Sequence, residues 1–239
     1  MFSFNLIEFD KIDSTSTFLK ENYEKFDNFT LVFAKEQTNG HGRMKRKWHS
    51  NYGDAILFSL LIKDEYIFKR FSDLSLISAV TVYKFLSRYT KNLSIKWPND
   101  VYLNGKKISG MLLEGVSIGE NNIIIDGIGI NINQNTFDDE IKNKATSLFI
   151  ETHQKYNIEE LKKALLEDLS WMIEEIKSGS KEYLSICRKN NFLKDRFVRA
   201  TIDGEIKNCK VIDINDDNSL LVEVDSTFKS LFMGEVLPL

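Results

Sequence analysis

The sequence predicts an α+β fold, a mixed central sheet with flanking helices followed by a small antiparallel β unit. Three observations predict it. From Phe4 to Ile132, strand-length apolar or alternating runs are separated by turn residues and interrupted by one long apolar helical segment. From Asn157 to Lys177 a single helical stripe runs through Ile158, Leu161, Leu165, Leu169, Met172, Ile173 and Ile176. After Asn190-Asn191 the helical period stops and several short alternating runs fill roughly fifty residues, as in a small β-barrel. At 239 residues the chain is near the upper end of what one core supports, so a larger unit over 1–190 and a smaller one over 191–239 are expected.

Taken in order, Phe4, Leu6, Phe9 and Ile12 suggest an edge strand. At Asp13-Ser14-Thr15-Ser16, small oxygen-bearing side chains precede Phe18, Leu19, Tyr23 and Phe26 at helical spacing, which marks a capped helix start. Leu31 to Ala34 is a short buried strand. Lys35 to Ser50 has no apolar period and is expected to be a loop. Ala55 to Ile62 is a buried strand, and Phe71 to Tyr89 a largely buried helix.

Ser94 to Trp97 and Val101 to Leu103 form strands around Pro98-Asn99-Asp100, and Asn104-Gly105 is a two-residue hairpin signal leading to Met111-Leu112-Leu113. Asn122 to Ile132 is a strand whose Gly127 and Gly129 would let a ligand approach the backbone. Gly179 closes the long helix, and a shorter helix spans about Lys181 to Lys189. The β unit is expected at Phe197 to Ile202, Cys209 to Ile214, Leu220 to Val224 and Ser230 to Met233, with turns at Asp203-Gly204 and Asp216-Asp217-Asn218.

Composition narrows the function. A net charge of −3 excludes a polycationic design for duplex nucleic acid, so any anion site must be a local cluster. Two cysteines, Cys187 and Cys209, provide no disulfide or metal framework and point to a reducing compartment. The N-terminus lacks a basic segment followed by a long apolar one, and no run approaches the ~18 apolar residues of a membrane span. A cytoplasmic location, with no membrane and no DNA partner, is the expectation.

Four clusters could carry chemistry. Arg43, Lys45, Arg46 and Lys47 follow Gly40-His41-Gly42; glycine N–H groups can cradle an anion and arginine forks match phosphate oxygens, although charge alone fits a solvated loop better. Gln37 and Trp48 flank this loop and complete a longer pattern. Lys96-Trp97-Pro98-Asn99-Asp100 could be a plain strand end and turn, yet places two side chains able to orient water, metal or ribose after a buried ring. Lys106-Lys107-Ile108-Ser109-Gly110 sends a lysine into an apolar strand beside a glycine, where it could meet a carboxylate rather than snorkel. Gly127-Ile128-Gly129-Ile130-Asn131-Ile132-Asn133 lacks the third glycine and the following helix of a dinucleotide fingerprint.

In this order, from about Phe9 to Asn133, the four clusters resemble those of the biotin–protein ligase family, and the later helix and β-tail fit the same pattern. The resemblance implies a class II synthetase-like ligase domain with a C-terminal SH3-like β domain. It implies formation of biotinyl-adenylate from biotin and ATP with Mg²⁺, then transfer of biotin to a lysine of a biotin carboxyl carrier protein. Carried over residue by residue, Ser14, Thr15, Ser16 and Gln37 would bind the biotin head, and His41, Gly42 and Arg43 would lie along the ligand. Lys107 would meet the carboxylate and α-phosphate beside Gly110, with Arg43 and Lys107 as the catalytic pair. Arg43, Arg46, Trp48, Asn99, Asp100 and Asn131 would serve the nucleotide, and Asp100 would order either a metal-bound water or a loop.

Lys45 stands where relatives commonly carry glycine, and His41 where arginine is frequent. The motifs begin within fifteen residues of the start, leaving no room for the DNA-binding domain of some relatives, so a monofunctional ligase is expected. Relatives occur as monomers and as dimers through sheet edges, and a homodimer of that kind stays open. The alternatives are a lipoate–protein ligase, a non-catalytic vitamin- or nucleotide-binding module and, more weakly, a basic-loop nucleic-acid binder.

Overall fold

The computed structural model describes residues 2–118, 121–232 and 234–239, with only the backbone of Lys45, Ile118 and Asn121. The side chain of Lys45 and the expected strand end at Met233 therefore lie outside the described residues. A seven-stranded sheet is ordered β1-β2-β3-β7-β6-β5-β4, where β1 is Asn5–Ile12, β2 Thr30–Gln37, β3 Ala55–Ile62, β4 Leu93–Lys96, β5 Asp100–Leu103, β6 Lys106–Ile118 and β7 Asn121–Asn131. Only β1 and β2 run parallel, joined through α1, Thr15–Asn22; every other pairing is antiparallel.

The period of two in the strands decides what each face carries. Ile56, Phe58, Leu60 and Ile62 of β3, with Ile124, Ile128 and Ile130 of β7, share a core with α3 (Phe71–Ser87), α5 (Ile158–Ser178) and α6 (Glu182–Lys189). The alternate residues Leu61, Ile123 and Ile125 meet Leu19 and Tyr23 of α1 on the opposite face. α1 covers only part of that face, and the remainder holds Ser59, Gly110, Gly127 and Gly129.

Local chemistry sets the boundaries. Ser14 caps α1 by accepting from Thr17 N, and Asn157 caps α5 by accepting from Glu159 N and Glu160 N. Gly179 ends α5 at φ 72°. Asn104 and Gly105, at φ 49° and 80°, make the two-residue turn between β5 and β6. Two short helices were not foreseen, α2 at Glu65–Lys69 and α4 at Leu148–Thr152, because five residues carry too little periodicity.

The second sheet is antiparallel, ordered β11-β10-β9-β8-β12, with β8 Phe197–Ile202, β9 Glu205–Ile214, β10 Leu220–Val224, β11 Thr227–Leu231 and β12 Leu237–Pro238. The turn from β10 to β11 is Asp225-Ser226, both left-handed at φ 49° and 59°, with no glycine to announce it; β11 therefore starts earlier than the expected Ser230. Asn218 ties this sheet to the larger unit: its carbonyl accepts from Trp97 Nε1 (2.9 Å), its Oδ1 from Tyr183 Oη (2.9 Å), and its Nδ2 donates to Asp73 (2.6 Å).

One buried acid has a consequence for stability. Asp126 of β7 is fully buried against α3, its Oδ2 2.5 Å from Ser78 Oγ, and its Oδ1 has no partner among the described residues. Burial pushes its carboxyl up to about 7, against an opposing contribution from Ser78. The raised acid binds a proton in the folded state that the unfolded chain releases near its ordinary value of 3.8. Stability is therefore greatest below that value and falls as pH rises toward about 7, at a slope of up to about 1.4 kcal/mol per pH unit. Asp126→Asn is expected to flatten this part of the profile in denaturant titrations between pH 4 and 8; an unchanged slope would show that other groups carry it.

Candidate active site

Parity in the strands brings the sequence clusters to the open face of the large sheet. At one end, Gln37 Oε1 accepts from Thr15 N (2.8 Å) and Thr15 Oγ1 (3.0 Å). Thr15 Oγ1 and Ser16 Oγ lie 2.7 and 2.8 Å from Ser59 Oγ. All three hydroxyls are buried, and because Thr15 Oγ1 spends its proton on Gln37, Ser59 donates to Thr15 and Ser16 to Ser59. Ser14 is occupied as the helix cap. Ser59 was missed; its signal was a lone hydroxyl inside the apolar run Ala55–Ile62.

The glycines of β7 make room for side chains rather than for a ligand. A Cβ on Gly127 would come within 2.5 Å of Ser16 Oγ, and one on Gly129 within 2.5 and 2.6 Å of the Trp48 ring. Gly110 does the same for Lys107, whose Cε and Nζ lie 2.6 Å from where its Cβ would be. Lys107 is held firmly. β6 bulges at Ile108 opposite Val101 and Tyr102, and the Lys107 backbone also bonds Lys144 O and Thr146 N. Its ammonium stands 2.7 Å from Asp100 Oδ1 and 5.9 Å from the Trp48 ring centre. The Asp100 contact is an ion pair rather than an aligned hydrogen bond, which leaves that oxygen without a proper donor.

Asn99, next to Asp100, joins this strand to the basic loop. Its Nδ2 donates to Met111 O (2.6 Å) and its Oδ1 accepts from Arg43 Nη1 (3.2 Å). Arg43 and Lys107 thus sit on one side of the molecule, one residue apart through Asn99 and Asp100. The loop closes on itself, with Gly42 N donating to Arg46 O (2.7 Å) and Trp48 N to Gly40 O (2.9 Å). The Gly42 N–H is therefore spent within the loop and is not available to an anion. His41 Nδ1 lies 3.3 Å from Asn39 O.

The C-terminal segment reaches the same place. Arg43 Nη2 donates to Gly234 O (2.8 Å), and Arg46 makes a fork-to-fork pair with Glu235 at 2.5 and 2.8 Å. That pair holds the Glu235 carboxyl below its ordinary value and raises the Arg46 guanidinium. Lys96, 5.7 Å from the Tyr102 ring, is lowered chiefly by burial, with Asp100 opposing and Lys107 reinforcing. Arg43, Arg46, Lys96 and Lys107 outnumber Asp100 and Glu235, so the groove favours an anion. Lys96 stood within a noted motif without a role, and Glu235 had no local signal, being 189 residues from Arg46.

Asn131 ends β7, and Asn133 lies two residues beyond it. Asn131 Nδ2 donates to Thr146 O (3.0 Å), while Asn133 Nδ2 donates to Tyr156 O (2.9 Å). Among the described residues, no helix is long and apolar enough to cross a membrane.

Residues 8–133 match the Biotin/lipoate A/B protein ligase family. The chain is 32 % identical over 220 residues to the bifunctional ligase/repressor BirA of Bacillus subtilis, a match covering 87 % of this chain and 65 % of that protein, so it spans less than two-thirds of that relative's length. It is 35 % identical over 105 residues to a biotin–[acetyl-CoA-carboxylase] ligase of Paracoccus denitrificans, covering 42 % of this chain and 43 % of that one. The fold superposes on a biotin protein ligase from Aquifex aeolicus, solved in complex with biotin and ATP, with a TM-score of 0.86, 30 % identity and 97 % coverage of both chains. With most of its matched segment inside the large sheet and its site motifs in register on one face, the chain belongs to the biotin/lipoate A/B protein ligase family.

Proposed function

We propose that the protein is a biotin–protein ligase that forms biotinyl-5′-AMP from biotin and ATP and transfers biotin to a lysine of a carboxyl carrier domain in the cytoplasm. The observation that supports this reading is that Arg43 and Lys107 meet two adjacent residues, Asn99 and Asp100, and so lie close to one another. The hydroxyl and amide cluster of Thr15, Ser16, Gln37 and Ser59 lies on the same sheet face and suits a neutral polar bicyclic head. A buried polar group left unpaired costs about 1–3 kcal/mol, so a fitting ureido group gains from such partners. Likeness to a biotin protein ligase solved with biotin and ATP supports the same reading.

The carboxylate oxygen of biotin attacks the α-phosphorus, the bond from that phosphorus to the bridging oxygen breaks, and pyrophosphate leaves. Both reactants are anions. Arg43 and Lys107 offset their repulsion and hold charge that develops on the phosphoryl oxygens, while Arg46 faces the departing pyrophosphate once released from Glu235. In the second step the neutral carrier amine attacks the mixed anhydride, AMP leaves with the bonding electrons, and the amine gives up a proton. Among the described residues no cluster of three or more His, Cys, Asp or Glu side chains could hold a metal. Asp100 is already paired with the Lys107 ammonium at 2.7 Å, so Mg²⁺ would arrive on the ATP phosphates rather than at a protein site of its own. Bound there, Mg²⁺ would supply charge neutralisation on the phosphates.

Incubating a carrier domain with the protein, ATP, Mg²⁺ and biotin should add one biotin by intact-mass measurement, and Lys107→Ala should prevent it. Lipoate addition instead of biotin, or no addition, would overturn the reading.

A further inference from the structure

The turn that carries Asn99 and Asp100 opens on Trp97, which is 3 % exposed. Three contacts fix it. Pro98 O accepts from Ser75 Oγ of α3 (3.1 Å), and Asn99 exchanges two bonds with Met111, its carbonyl accepting from Met111 N (3.0 Å). The third contact comes from the second sheet: Trp97 Nε1 donates to the main-chain carbonyl of Asn218, in the turn between β9 and β10. Asn218 is left-handed at φ 70°, a backbone that glycine adopts without strain and that a turn can use with no side chain at all. Yet Asn218 is 8 % exposed, and both ends of its amide are engaged.

That amide has one possible polarity. Asp73, paired through Oδ2 with Arg70 (2.7 Å), offers only acceptors, so Asn218 turns Nδ2 to Asp73 Oδ1 (2.6 Å). Oδ1 is left for Tyr183, whose hydroxyl must then donate (2.9 Å). Asp73 lies on α3 and Tyr183 on α6, while Arg70 also donates to Ile176 O near the end of α5. The clamp thus gathers three helices of the larger unit around one residue of the second sheet. Between β11 and β12 the same sheet delivers Gly234 O to Arg43 Nη2 and Glu235 to Arg46. Arg43 is held from two sides, by Asn99 and by Gly234, and both holds lead back to Asn218.

We propose that Asn218 is a positioning residue of the adenylating site: its side chain, clamped between Asp73 and Tyr183, seats the second sheet so that Trp97 and Gly234 aim the Arg43 guanidinium. The inference rests on the ligase reading above and adds to it a residue remote from the ligands. Without the clamp the sheet keeps its own ladder of hydrogen bonds but shifts against the helices, and the guanidinium turns with Gly234. A displacement of about 1 Å is enough to cost on the order of 10²-fold where a charge must meet a transferring group. The hydroxyl cluster is built from α1, β2 and β3 and keeps its place.

The test uses Asn218→Gly, which keeps the left-handed backbone and the carbonyl for Trp97 and removes only the clamp. Single-turnover pyrophosphate release from ATP and biotin should fall about 10- to 100-fold, with biotin affinity within about twofold. In an Arg43→Ala background the same change should cost less than about twofold, because the group it positions is gone. Asn218→Asp sets a second carboxylate against Asp73 and should lose at least as much as Asn218→Gly. Adding Asp73→Asn to it exchanges donor and acceptor across the pair, keeps the charge, and should restore release to within about threefold of wild type. Calorimetric titration with inorganic tripolyphosphate reads the Arg43 position without turnover. Its affinity should weaken with Asn218→Gly where Arg43 is present and hold in Arg43→Ala, so a wild-type protein that releases no pyrophosphate would count against the ligase reading alone. An Asn218→Gly variant that melts earlier yet keeps its rate, or that loses as much with Arg43→Ala as without it, would overturn the assignment. So would a folded Asn218→Asp/Asp73→Asn protein that does not recover.

Discussion

Alanine at Gly110 is expected to cost as much activity as removal of the Lys107 amine itself. A methyl group there would lie 2.6 Å from Lys107 Cε and Nζ and 3.3 Å from Asp100 Oδ1. The Gly110 backbone cannot yield, because β6 is paired on both sides, with Asp100 on β5 and Gly129 on β7. The lysine end must therefore leave its place beside Asp100. Losing one preorganised charge at a phosphoryl transition state costs about 10²- to 10³-fold in kcat, or roughly 2.7–4 kcal/mol. Both Lys107→Ala and Gly110→Ala should show that loss in pyrophosphate release, with thermal stability little changed by Gly110→Ala. The two substitutions should fail to add when combined, because the methyl acts only through the lysine. A Gly110→Ala variant with near-normal kcat would show that the Lys107 position seen here is not the working one.

Gly129→Ala is expected to strike the nucleotide end of the groove. The new Cβ would come within 2.5–3.0 Å of three atoms of the Trp48 indole. β7 is paired along its length with β3 and β6, so the strand holds and the rigid ring must move. Trp48 N is bonded to Gly40 O, so displacing the ring also disturbs the basic loop. A base stacked on an aromatic plane gains about 1–3 kcal/mol, so the KM for ATP should rise roughly 5- to 150-fold. The hydroxyl cluster at Thr15, Ser16 and Ser59 lies farther along the groove and should keep biotin affinity within about threefold. Calorimetry with biotin and initial rates against ATP separate the two effects. An unchanged KM with a large loss of biotin affinity would place Trp48 on the vitamin rather than the nucleotide.

Much of this molecule was legible as local pattern. β3 and β10 match the expected runs Ala55–Ile62 and Leu220–Val224, because strand ends coincide with changes of hydrophobic period. Asn157 and Gly179 marked the ends of α5, because caps act through backbone groups a few residues away. The α+β class and the family also followed from the residues, since four ordered motifs rarely coincide without a common fold.

Other features depended on contacts between distant segments. No periodicity relates Glu235 to Arg46, or Ser59 to Thr15, because those pairs form only when separate elements pack. The glycines were visible, but their purpose was not: Gly110, Gly127 and Gly129 read as openings for a ligand or a pocket wall, and the packed structure fills them with Lys107, Ser16 and Trp48. Sequence alone determined which residue types were available and which strand face each would occupy, since side-chain alternation is a local rule. Only the tertiary structure decided which of those residues are already spent on one another, as Asn131 is, and which still have an unmet hydrogen bond, as Asp126 does. Hydrogen-bond satisfaction is a property of the assembled neighbourhood, so it has no signature in the order of residues.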